Sequence, residues 1–576
     1  MAQPIRVTLA LVACAAMVSC GGGGSRGIAP VPAADALRAS CPGLAGTTVP
    51  ASSIGLASGN ATVTSATFVA AAPQGASGTT TTPATPDYCK VLGTIAPVDP
   101  AAQLINFEVN LPTSWNRKAV QYGGGGYNGT LTTGLTPLRD ANPDDPLPLT
   151  RGYATLGTDS GHQASAFAPN AIGQFGLNDE MLANYGFASY KKVKDVAVKL
   201  MEAYYFHAPS KMYYFGGSEG GREGLTMAQR FPADYDGIVS VVPVVQLSML
   251  FQSYIPHVRP QFNGGWMNTA KTATMAKFVS DTCDSLDGLA DGVISNYLAC
   301  PARVNLDALR CPGGADAGDS CLSDAQIAVV KSMHSPYTLP FAVSNGATSY
   351  PAWPFYGNET TPDPLNPTWT RWVTGTAPPT TAVDAATASQ HWLYGANFIR
   401  YFVTRNASFD PLAFDPAAYQ ARLQQVSALI DSNNPDLKAF FARGGKLIMR
   451  ENTSDVAQSP QAGIDYFMAV QRTVGDSTME SSARLYMSPG STHSGPGASV
   501  TTGAAIPTSV DLLDPLDRWV SSGQAPADSL VQTAKAPTPP FTTQSARPMC
   551  RYPSYPKYNG GDAKLASSYS CAVSQP

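Results

Sequence analysis

Short apolar runs alternate with longer helix-like stretches between about residue 41 and residue 244. Leu104 to Val109 has the pattern of a buried strand, and Tyr190 to Tyr205 has the pattern of a helix. Repeated strand and helix signals of this kind are typical of a mainly parallel sheet with helices on both faces. The hydrophobic pattern therefore predicts an α/β fold.

A long insertion interrupts this pattern. Asp236 to Pro243 predicts one more buried strand, but the next strand signal, Lys446 to Met449, follows only after a stretch rich in tryptophan. We expect residues 41–244 and 437–576 to form one domain and residues 245–436 to form a lid. The lid carries five of the seven tryptophans, Trp266, Trp353, Trp369, Trp372 and Trp392. We expect most of these rings to pack in the lid's own core and the rest to cover the site.

The N-terminus predicts export. Arg6 is followed by an apolar run from Val7 to Val18 that is too short to span a membrane, so residues 1–20 are expected to be a signal peptide. The small residues before Cys20 favour a lipoprotein-type signal with an acylated Cys20; Cys14 is a weaker second choice, and ordinary cleavage near residue 20 is the alternative. Residues 21–40 are rich in Gly, Pro and Ala and predict a flexible tether. The expected location is periplasmic, at the outer membrane as a lipoprotein, or secreted.

Composition narrows the class of protein. Only 14% of the residues are charged and the net charge is -4, which offers no basic face for a nucleic acid. The abundance of glycine (52) and proline (48) is typical of a loop-rich globular enzyme.

Cysteine usage agrees with export. Eight cysteines remain after the leader, and an even number in an exported protein indicates disulfide bonds. The residues alone leave the pairing open, and none stands beside a histidine at metal-site spacing, so zinc is not expected. The eight are Cys41, Cys89, Cys283, Cys300, Cys311, Cys321, Cys550 and Cys571.

A nucleophile turn is predicted at Gly216 to Gly220. This G-x-S-x-G stretch centres on Ser218, follows the strand-like Met212 to Phe215, and precedes the helix-like Arg222 to Phe231. Glycines two before and two after a serine let a strand and a helix approach each other around a strained turn. Ser218 is therefore the candidate nucleophile.

A serine nucleophile needs a base and an orienting acid, which follow it in the order acid then histidine in α/β-hydrolases. His493 lies in a small-residue loop after the strand-like Ala483 to Met487, and is the candidate base. Asp455, just beyond the strand at Lys446 to Met449, is the candidate acid, with Glu451 as the second choice. The order predicts an α/β-hydrolase fold with a large inserted lid.

An oxyanion site is also required. Four glycines, Gly123 to Gly126, follow the strand-like Lys118 to Val120 and allow backbone N–H groups to approach a ligand closely. We assign the donors to Glu219, directly after the nucleophile, and to Gly126 or its neighbour Gly125.

Several longer motifs resemble the bacterial tannase and feruloyl esterase family, which includes the mono(2-hydroxyethyl) terephthalate hydrolases. The resemblance extends over nearly the whole mature chain and implies the disulfides Cys41–Cys89, Cys283–Cys300, Cys311–Cys321 and Cys550–Cys571. The motifs that carry it are residues 216–224, Arg230 to Pro232, Asp234 to Val239, Thr158 to His162 and Cys283 to Val293.

The chain departs from this family at two points. Members usually have bridged cysteines just before the nucleophile and just after the histidine, where this chain has Gly217 and Ser494. Hydrolases of the terephthalate monoester also use a lid arginine, which we place within residues 378–389, a stretch without Arg or Lys. Arg371, Arg400 or Arg405 could substitute for it.

A calcium site is predicted in the lid. Asp284, Asp287 and Asp291 lie close together on a glycine-containing turn, and calcium takes carboxylate and carbonyl oxygens. The resemblance implies a structural Ca²⁺ held by these side chains with the carbonyls of Leu289 and Val293.

The sequence thus predicts a serine carboxylic ester hydrolase that acts on small esters of aromatic acids. A mono(2-hydroxyethyl) terephthalate hydrolase is the second choice. A peptidase and a catalytically silent surface binding lipoprotein are the alternatives from other classes. The oligomeric state is left open.

Overall fold

The computed structural model describes residues 30–77, 80–359 and 369–574. A twelve-stranded sheet runs through it in the order β1-β2-β5-β6-β8-β7-β9-β10-β13-β14-β16-β15. Three short hairpins lie outside this sheet. The strands are β1 Thr48–Val49, β2 Ala61–Val69, β3 Gly75–Ser77, β4 Thr80–Thr82, β5 Tyr88–Ile95, β6 Ile105–Pro112, β7 Lys118–Tyr122, β8 Ala154–Thr158, β9 Lys211–Gly217, β10 Gly237–Val241, β11 Tyr337–Thr338, β12 Ser349–Tyr350, β13 Lys446–Asn452, β14 Ala483–Ser488, β15 Ser529–Lys535, β16 Thr543–Arg551, β17 Ser554–Tyr558 and β18 Tyr569–Val573.

Thirteen α-helices accompany the strands in the described part of the chain. They are α1 Ala34–Ser40, α2 Asp179–Ala183, α3 Ser189–Tyr205, α4 Glu219–Arg230, α5 Leu247–Val258, α6 Thr269–Cys283, α7 Asp324–Met333, α8 Gln390–Asn397, α9 Gln420–Ile430, α10 Lys438–Ala442, α11 Pro460–Val474, α12 Asp476–Ser482 and α13 Leu513–Ser522. No helix in these ranges is both long and apolar enough to cross a membrane.

The centre of the sheet is parallel. Strands β8, β7, β9, β10, β13 and β14 pair in parallel, while the pairs towards both edges are antiparallel. Alternate residues of β9 enter two different cores: Tyr214 packs in the one that holds α3 and α4, and Tyr213 packs in the one that holds α13. Because side chains alternate between the faces of a strand, both faces are buried under helices. The predicted α/β-hydrolase architecture is confirmed.

The chain between β10 and β13 supplies most of a third apolar core, which side chains such as Tyr127 and Phe175 join from the central domain. Helices α5 to α9 contribute to it, and Trp353, Trp369 and Trp392 are buried there. Trp372 packs against this core while remaining partly exposed. The inserted segment therefore folds around its own aromatic residues and lies over the carboxyl ends of the central strands.

Part of the predicted tether is ordered, so that prediction is wrong for its last residues. Residues 34–40 form α1, and Leu37 is fully buried against α3. A single apolar side chain that finds a hydrophobic partner is enough to fix a short helix whose composition alone favours a linker. The signal peptide with Cys20, and the tether up to residue 29, lie outside the described residues.

The four disulfides are the ones that the family resemblance implies. Bonds join Cys41 to Cys89, Cys283 to Cys300, Cys311 to Cys321, and Cys550 to Cys571. Disulfides of this number are typical of proteins outside the reducing cytoplasm.

Candidate active site

The turn between β9 and α4 holds Ser218 in a strained conformation, with φ 59° and ψ -122°. Glycine is required on both sides. A Cβ on Gly216 would lie 2.2 Å from the carbonyl oxygen of Gly220, and a Cβ on Gly220 would lie 2.8 Å from that of Gly124. Such backbone strain costs about 1–3 kcal/mol and persists only where the surrounding structure enforces it. Here it lifts the serine hydroxyl out of the strand and into a cavity.

Ser218, His493 and Asp455 are brought into contact. The Nε2 atom of His493 lies 2.7 Å from Ser218 Oγ, and its Nδ1 atom lies 2.6 Å from Asp455 Oδ2. The second carboxylate oxygen of Asp455 accepts hydrogen bonds from the backbone N–H groups of Ala457 (2.8 Å) and Gln458 (3.0 Å). The acid is thus held rigidly, and the imidazole lies between acid and hydroxyl.

Two buried polar residues that the sequence analysis missed connect the loops of the acid and the base. Arg450, on β13, donates to the side chains of Asn452 (2.9 Å), Ser488 (3.2 Å) and Ser491 (3.3 Å). Asn452 in turn donates to the carbonyl of Thr492 at 2.7 Å. Because β13 and β14 are parallel neighbours, these bonds tie their carboxyl ends together and place His493 next to Asp455. The sequence feature that could have revealed both residues is the run Arg–Glu–Asn at the end of a buried strand.

Glu451, the second choice for the acid, binds elsewhere. Its side chain is fully buried and accepts a hydrogen bond from Gln458 at 2.7 Å. Burial, with a smaller contribution from the neighbouring Asp455, raises the pKa of Glu451 well above its usual value. The neutral, protonated form of Glu451 is therefore favoured here.

The two predicted oxyanion donors flank the nucleophile. Glu219 is the first residue of α4, so its backbone N–H has no partner within the helix. Gly126 has φ 59°. The carbonyl oxygen of Gly125, which shares a peptide plane with the N–H of Gly126, accepts a hydrogen bond from the N–H of Asn128 at 2.8 Å. Gly125 lines the same cavity, so it stays a possible donor.

The side chain of Glu219 is buried and paired with Arg222. The Nε atom of Arg222 donates to both carboxylate oxygens at 2.9 Å. Burial raises the pKa of Glu219 to about 7, and the guanidinium of Arg222 opposes this rise. This pair anchors the first turn of α4 below the oxyanion site.

The cavity at Ser218 has a volume of about 300 Å³ and a largely aromatic wall from the lid. Phe251, Tyr254, Trp372 and Tyr394 line it. The ring of Tyr394 packs on Phe251, with centroids 5.5 Å apart. Flat walls of this kind favour a planar ring in the substrate.

Two arginines also line the cavity, and the sequence analysis missed one of them. Arg371 comes from the lid and is one of the three arginines that the sequence analysis considered for binding a substrate carboxylate. Arg139 comes from the loop after β7. Arg139 occupies the space that a side chain at residue 217 would need: a Cβ on Gly217 would lie 2.0 Å from Arg139 Cδ. No cysteine is present at 217 or 494, so packing and hydrogen bonds hold Ser218 and His493 together without a covalent link.

The predicted calcium loop uses its three carboxylates differently. Asp284 accepts a hydrogen bond from the N–H of Gly292 at 2.8 Å, and Asp291 forms an ion pair with Arg547. Asp287 is buried, and its Oδ2 atom has no partner in the described part of the chain. Burial raises the pKa of Asp287 to about 7. This orphaned oxygen fits a cation.

No three acidic, histidine or cysteine side chains within the described ranges are arranged to hold a metal by themselves. A cation in this loop therefore needs backbone carbonyls as well as carboxylates. Calcium takes such mixed oxygen ligands, so the residues fit this ion.

Comparison with known proteins shows which enzymes this chain is similar to. It is 36% identical over 550 residues to an uncharacterized esterase of Agrobacterium fabrum, covering 92% of this chain and 93% of the relative. It is 30% identical over 560 residues to the mono(2-hydroxyethyl) terephthalate hydrolase of Piscinibacter sakaiensis, covering 88% of each. The crystal structure of feruloyl esterase B from Aspergillus oryzae superposes with a TM-score of 0.69 at 23% identity, covering 93% of this chain and 100% of that one, and so shares the fold.

The match to a family is equally broad. Residues 89–572 match the family described as Tannase and feruloyl esterase. This range contains the nucleophile turn, the acid and base loops and the whole inserted lid. The chain belongs to the tannase and feruloyl esterase family.

Proposed function

We propose that this serine carboxylesterase hydrolyses small esters of aromatic acids, with Ser218, His493 and Asp455 as its catalytic residues. The observation that carries the proposal is the pair of consecutive hydrogen bonds that link Ser218 to His493 and His493 to Asp455 at the floor of an aromatic cavity. Hydroxyl, imidazole and carboxylate in this order form the arrangement that activates a serine for acyl transfer.

The reaction follows from the geometry. Ser218 Oγ attacks the ester carbonyl as His493 Nε2 takes its proton, and Asp455 stabilises the imidazolium that forms. The N–H groups of Glu219 and of Gly126 or Gly125 bind the oxyanion, and the loss of one such donor costs about 3 kcal/mol in the barrier. His493 then protonates the departing alcohol, and water, activated by the same imidazole, releases the acid from Ser218.

The aromatic lid supports an aromatic acyl group. Trp372 and Tyr394 are nearly parallel, with ring centroids 6.3 Å apart, and both belong to the cavity wall. Hydroxycinnamate and gallate esters carry a flat ring that such a wall accepts.

A terephthalate monoester is the second candidate, favoured by Arg371. Of the three lid arginines considered for its free carboxylate, only Arg371 lines the cavity in the described part of the chain. Arg400 donates to the carbonyl of Phe409, and Arg405 pairs with Asp179. Arg371 therefore takes the place of the cation that residues 378–389 lack.

A fluorophosphonate probe and an ester panel test the proposal. Wild-type protein should label at Ser218 and hydrolyse methyl ferulate, methyl gallate or mono(2-hydroxyethyl) terephthalate, while Ser218→Ala should fold, fail to label and lose turnover. A protein that neither labels nor hydrolyses any member of the panel would be a binding protein. Faster cleavage of amides than of the matched esters would instead indicate a peptidase.

We also propose a structural calcium ion in the lid, held by Asp284, Asp287, Asp291 and the carbonyls of Leu289 and Val293. The ion would offset three clustered carboxylates, of which only Asp291 has an ion-pair partner, Arg547, in the described part of the chain. Binding at 100 times the Kd stabilises a protein by about 2.7 kcal/mol. We expect calcium, compared with EGTA, to raise the Tm of wild type and of Asp281→Asn, an exposed control on α6. It should not raise the Tm of Asp287→Asn. Equal Tm values in both buffers would refute the site.

Export, and membrane attachment through an acylated Cys20, complete the proposal. Support comes from the leader-like residues 1–20 and from the four disulfides. Metabolic labelling with a palmitate analogue tests the anchor: wild type should incorporate it and Cys20→Ala should not.

A further inference from the structure

Arg139 forms no ion pair within the described part of the chain. Its Nε and Nη2 atoms are buried and have no hydrogen-bond partner in the described residues, although the side chain lines the cavity beside Ser218. A guanidinium remains protonated at every physiological pH. Burying charged donors without partners is unfavourable, so this guanidinium is stabilised by an anion that it can reach in the cavity.

The nearby carboxylates are already engaged. Asp140, the next residue along the chain, lies 3.4 Å from Arg450, which is itself fully buried. Glu219 is the only acidic residue among the described residues that line the cavity, and it is paired with Arg222. The cavity therefore has an excess of positive charge, to which Arg371 adds at a more exposed position.

The backbone makes room for this guanidinium. A Cβ at residue 217 would lie 2.0 Å from Arg139 Cδ, so the arginine stem packs directly against the backbone of Gly217. The charged end consequently lies within the same cavity as the scissile bond, rather than at the surface.

We propose that Arg139 binds a carboxylate of the substrate, so that the preferred esters of this enzyme are anionic. The inference rests on the esterase function proposed above and narrows it to a substrate class. A planar guanidinium matches a carboxylate with two parallel hydrogen bonds, and a small rotation of the Arg139 side chain within the cavity would bring its unpartnered Nε and Nη2 donors to such a group. The carboxylate belongs to either the acid half or the alcohol half of the ester, and substrates distinguish the two.

Two matched substrate pairs test this proposal. Monomethyl terephthalate and dimethyl terephthalate differ by one carboxylate on the acid half, and the feruloyl ester of glycolic acid and methyl ferulate differ by one on the alcohol half. In at least one pair, wild type should show the higher kcat/KM for the anionic ester. The pair that shows the preference identifies the half that carries the carboxylate.

Variants then assign the preference to Arg139. Arg139→Met keeps the stem that packs on Gly217 and removes the charge, so kcat/KM for the anionic ester should fall about 10- to 100-fold, the value of a charge-assisted hydrogen bond. The matched neutral ester should change less than about 3-fold. Arg139→Lys should recover part of the preference. Arg303→Met, an exposed lid residue outside the cavity, removes the same charge and should behave as wild type.

Two results would overturn the inference while leaving the esterase function in place. One is a wild type that cleaves neutral esters as well as their anionic partners. The other is an Arg139→Met variant that loses activity equally on both members of a pair, which indicates only a packing role. If wild type cleaves none of the four esters and does not label at Ser218, the proposed function itself fails.

Discussion

The indole of Trp372 meets the imidazole of His493 edge-on, with ring centroids 5.4 Å apart and planes at 71°. This contact joins the inserted lid directly to the base of the central domain. The lid therefore shapes the aromatic wall and also limits the movement of His493, the residue proposed to transfer the proton. Stacked and edge-on ring pairs of this kind contribute about 0.5–1.5 kcal/mol beyond their buried area.

Replacing Trp372 should separate these two roles. For Trp372→Ala we expect kcat/KM for an aromatic acyl ester to fall about 10-fold or more, since ring contacts and packing are lost together. The loss for a small acetate ester should be clearly smaller, and Trp372→Phe should keep most of the activity. Steady-state kinetics on both esters measure this. An equal loss on both would show that Trp372 serves only to hold His493.

Substitution of the two carboxylic acids should show which one serves the histidine. Asp455→Asn should lower kcat about 10⁴-fold, because an amide cannot hold the required imidazole tautomer. Glu451→Gln should stay within about 10-fold of wild type, since the native Glu451 is expected to be neutral and an amide preserves its contact with Gln458. Matched circular dichroism spectra would exclude unfolding. A greater loss in Glu451→Gln than in Asp455→Asn would reverse the assignment.

The glycine loop allows a matched comparison of neighbouring positions. A Cβ on Gly126 would lie 2.5 Å from Tyr394 Oη at a φ of +59°, whereas a Cβ on Gly125 would meet nothing within 4 Å. Gly126→Ala should therefore displace the peptide that faces the oxyanion and reduce kcat by about 10²-fold. Gly125→Ala should change kcat less than about 3-fold. Similar losses in both variants would argue against a special role for the peptide of Gly126.

Stability should depend on pH through Asp431. Its buried side chain accepts hydrogen bonds from the N–H (2.8 Å) and hydroxyl (2.7 Å) of Ser248, and burial raises the pKa of Asp431 to about 7. The folded state then keeps a proton that the unfolded state loses above pH 4. The stabilising contribution is complete below about pH 4 and is lost as pH rises to about 7, at up to about 1.4 kcal/mol per pH unit.

Urea unfolding of wild type and Asp431→Asn between pH 4.5 and 7.5 measures this effect. The variant should show a shallower decline in the free energy of unfolding, because it has no proton to lose. Other buried acids, such as Glu219, titrate in the same range and leave some slope in both proteins. Identical slopes would show that Asp431 is already ionised in the folded protein.

Local signals in the chain were sufficient for the fold class and for selecting Ser218, Asp455 and His493, which the structure brings into contact. The turn at Ser218 needs glycines at 216 and 220 for its close backbone approaches, so the motif in its strand-to-helix context indicates the geometry directly. The loops of Asp455 and His493 follow strands whose apolar runs are unambiguous, and parallel strands bring their carboxyl ends to one edge. The family motifs supplied the cysteine pairing, which spacing alone leaves open.

Tertiary structure decided the rest, because those features depend on contacts between residues distant in the chain. Composition assigned residues 34–40 to a tether, but burial of Leu37 makes them helical. Whether Asp455 or Glu451 meets the histidine depends on the turn after β13, because Glu451 still lies on that strand and Asp455 lies in the loop beyond it. Arg139 carries no motif, and its isolated charge beside Ser218 becomes visible only when residues 139, 217 and 450 are placed together. What the sequence by itself determined was the chemistry of local turns and strands; the wall, the charge and the shape of the cavity come from long-range packing.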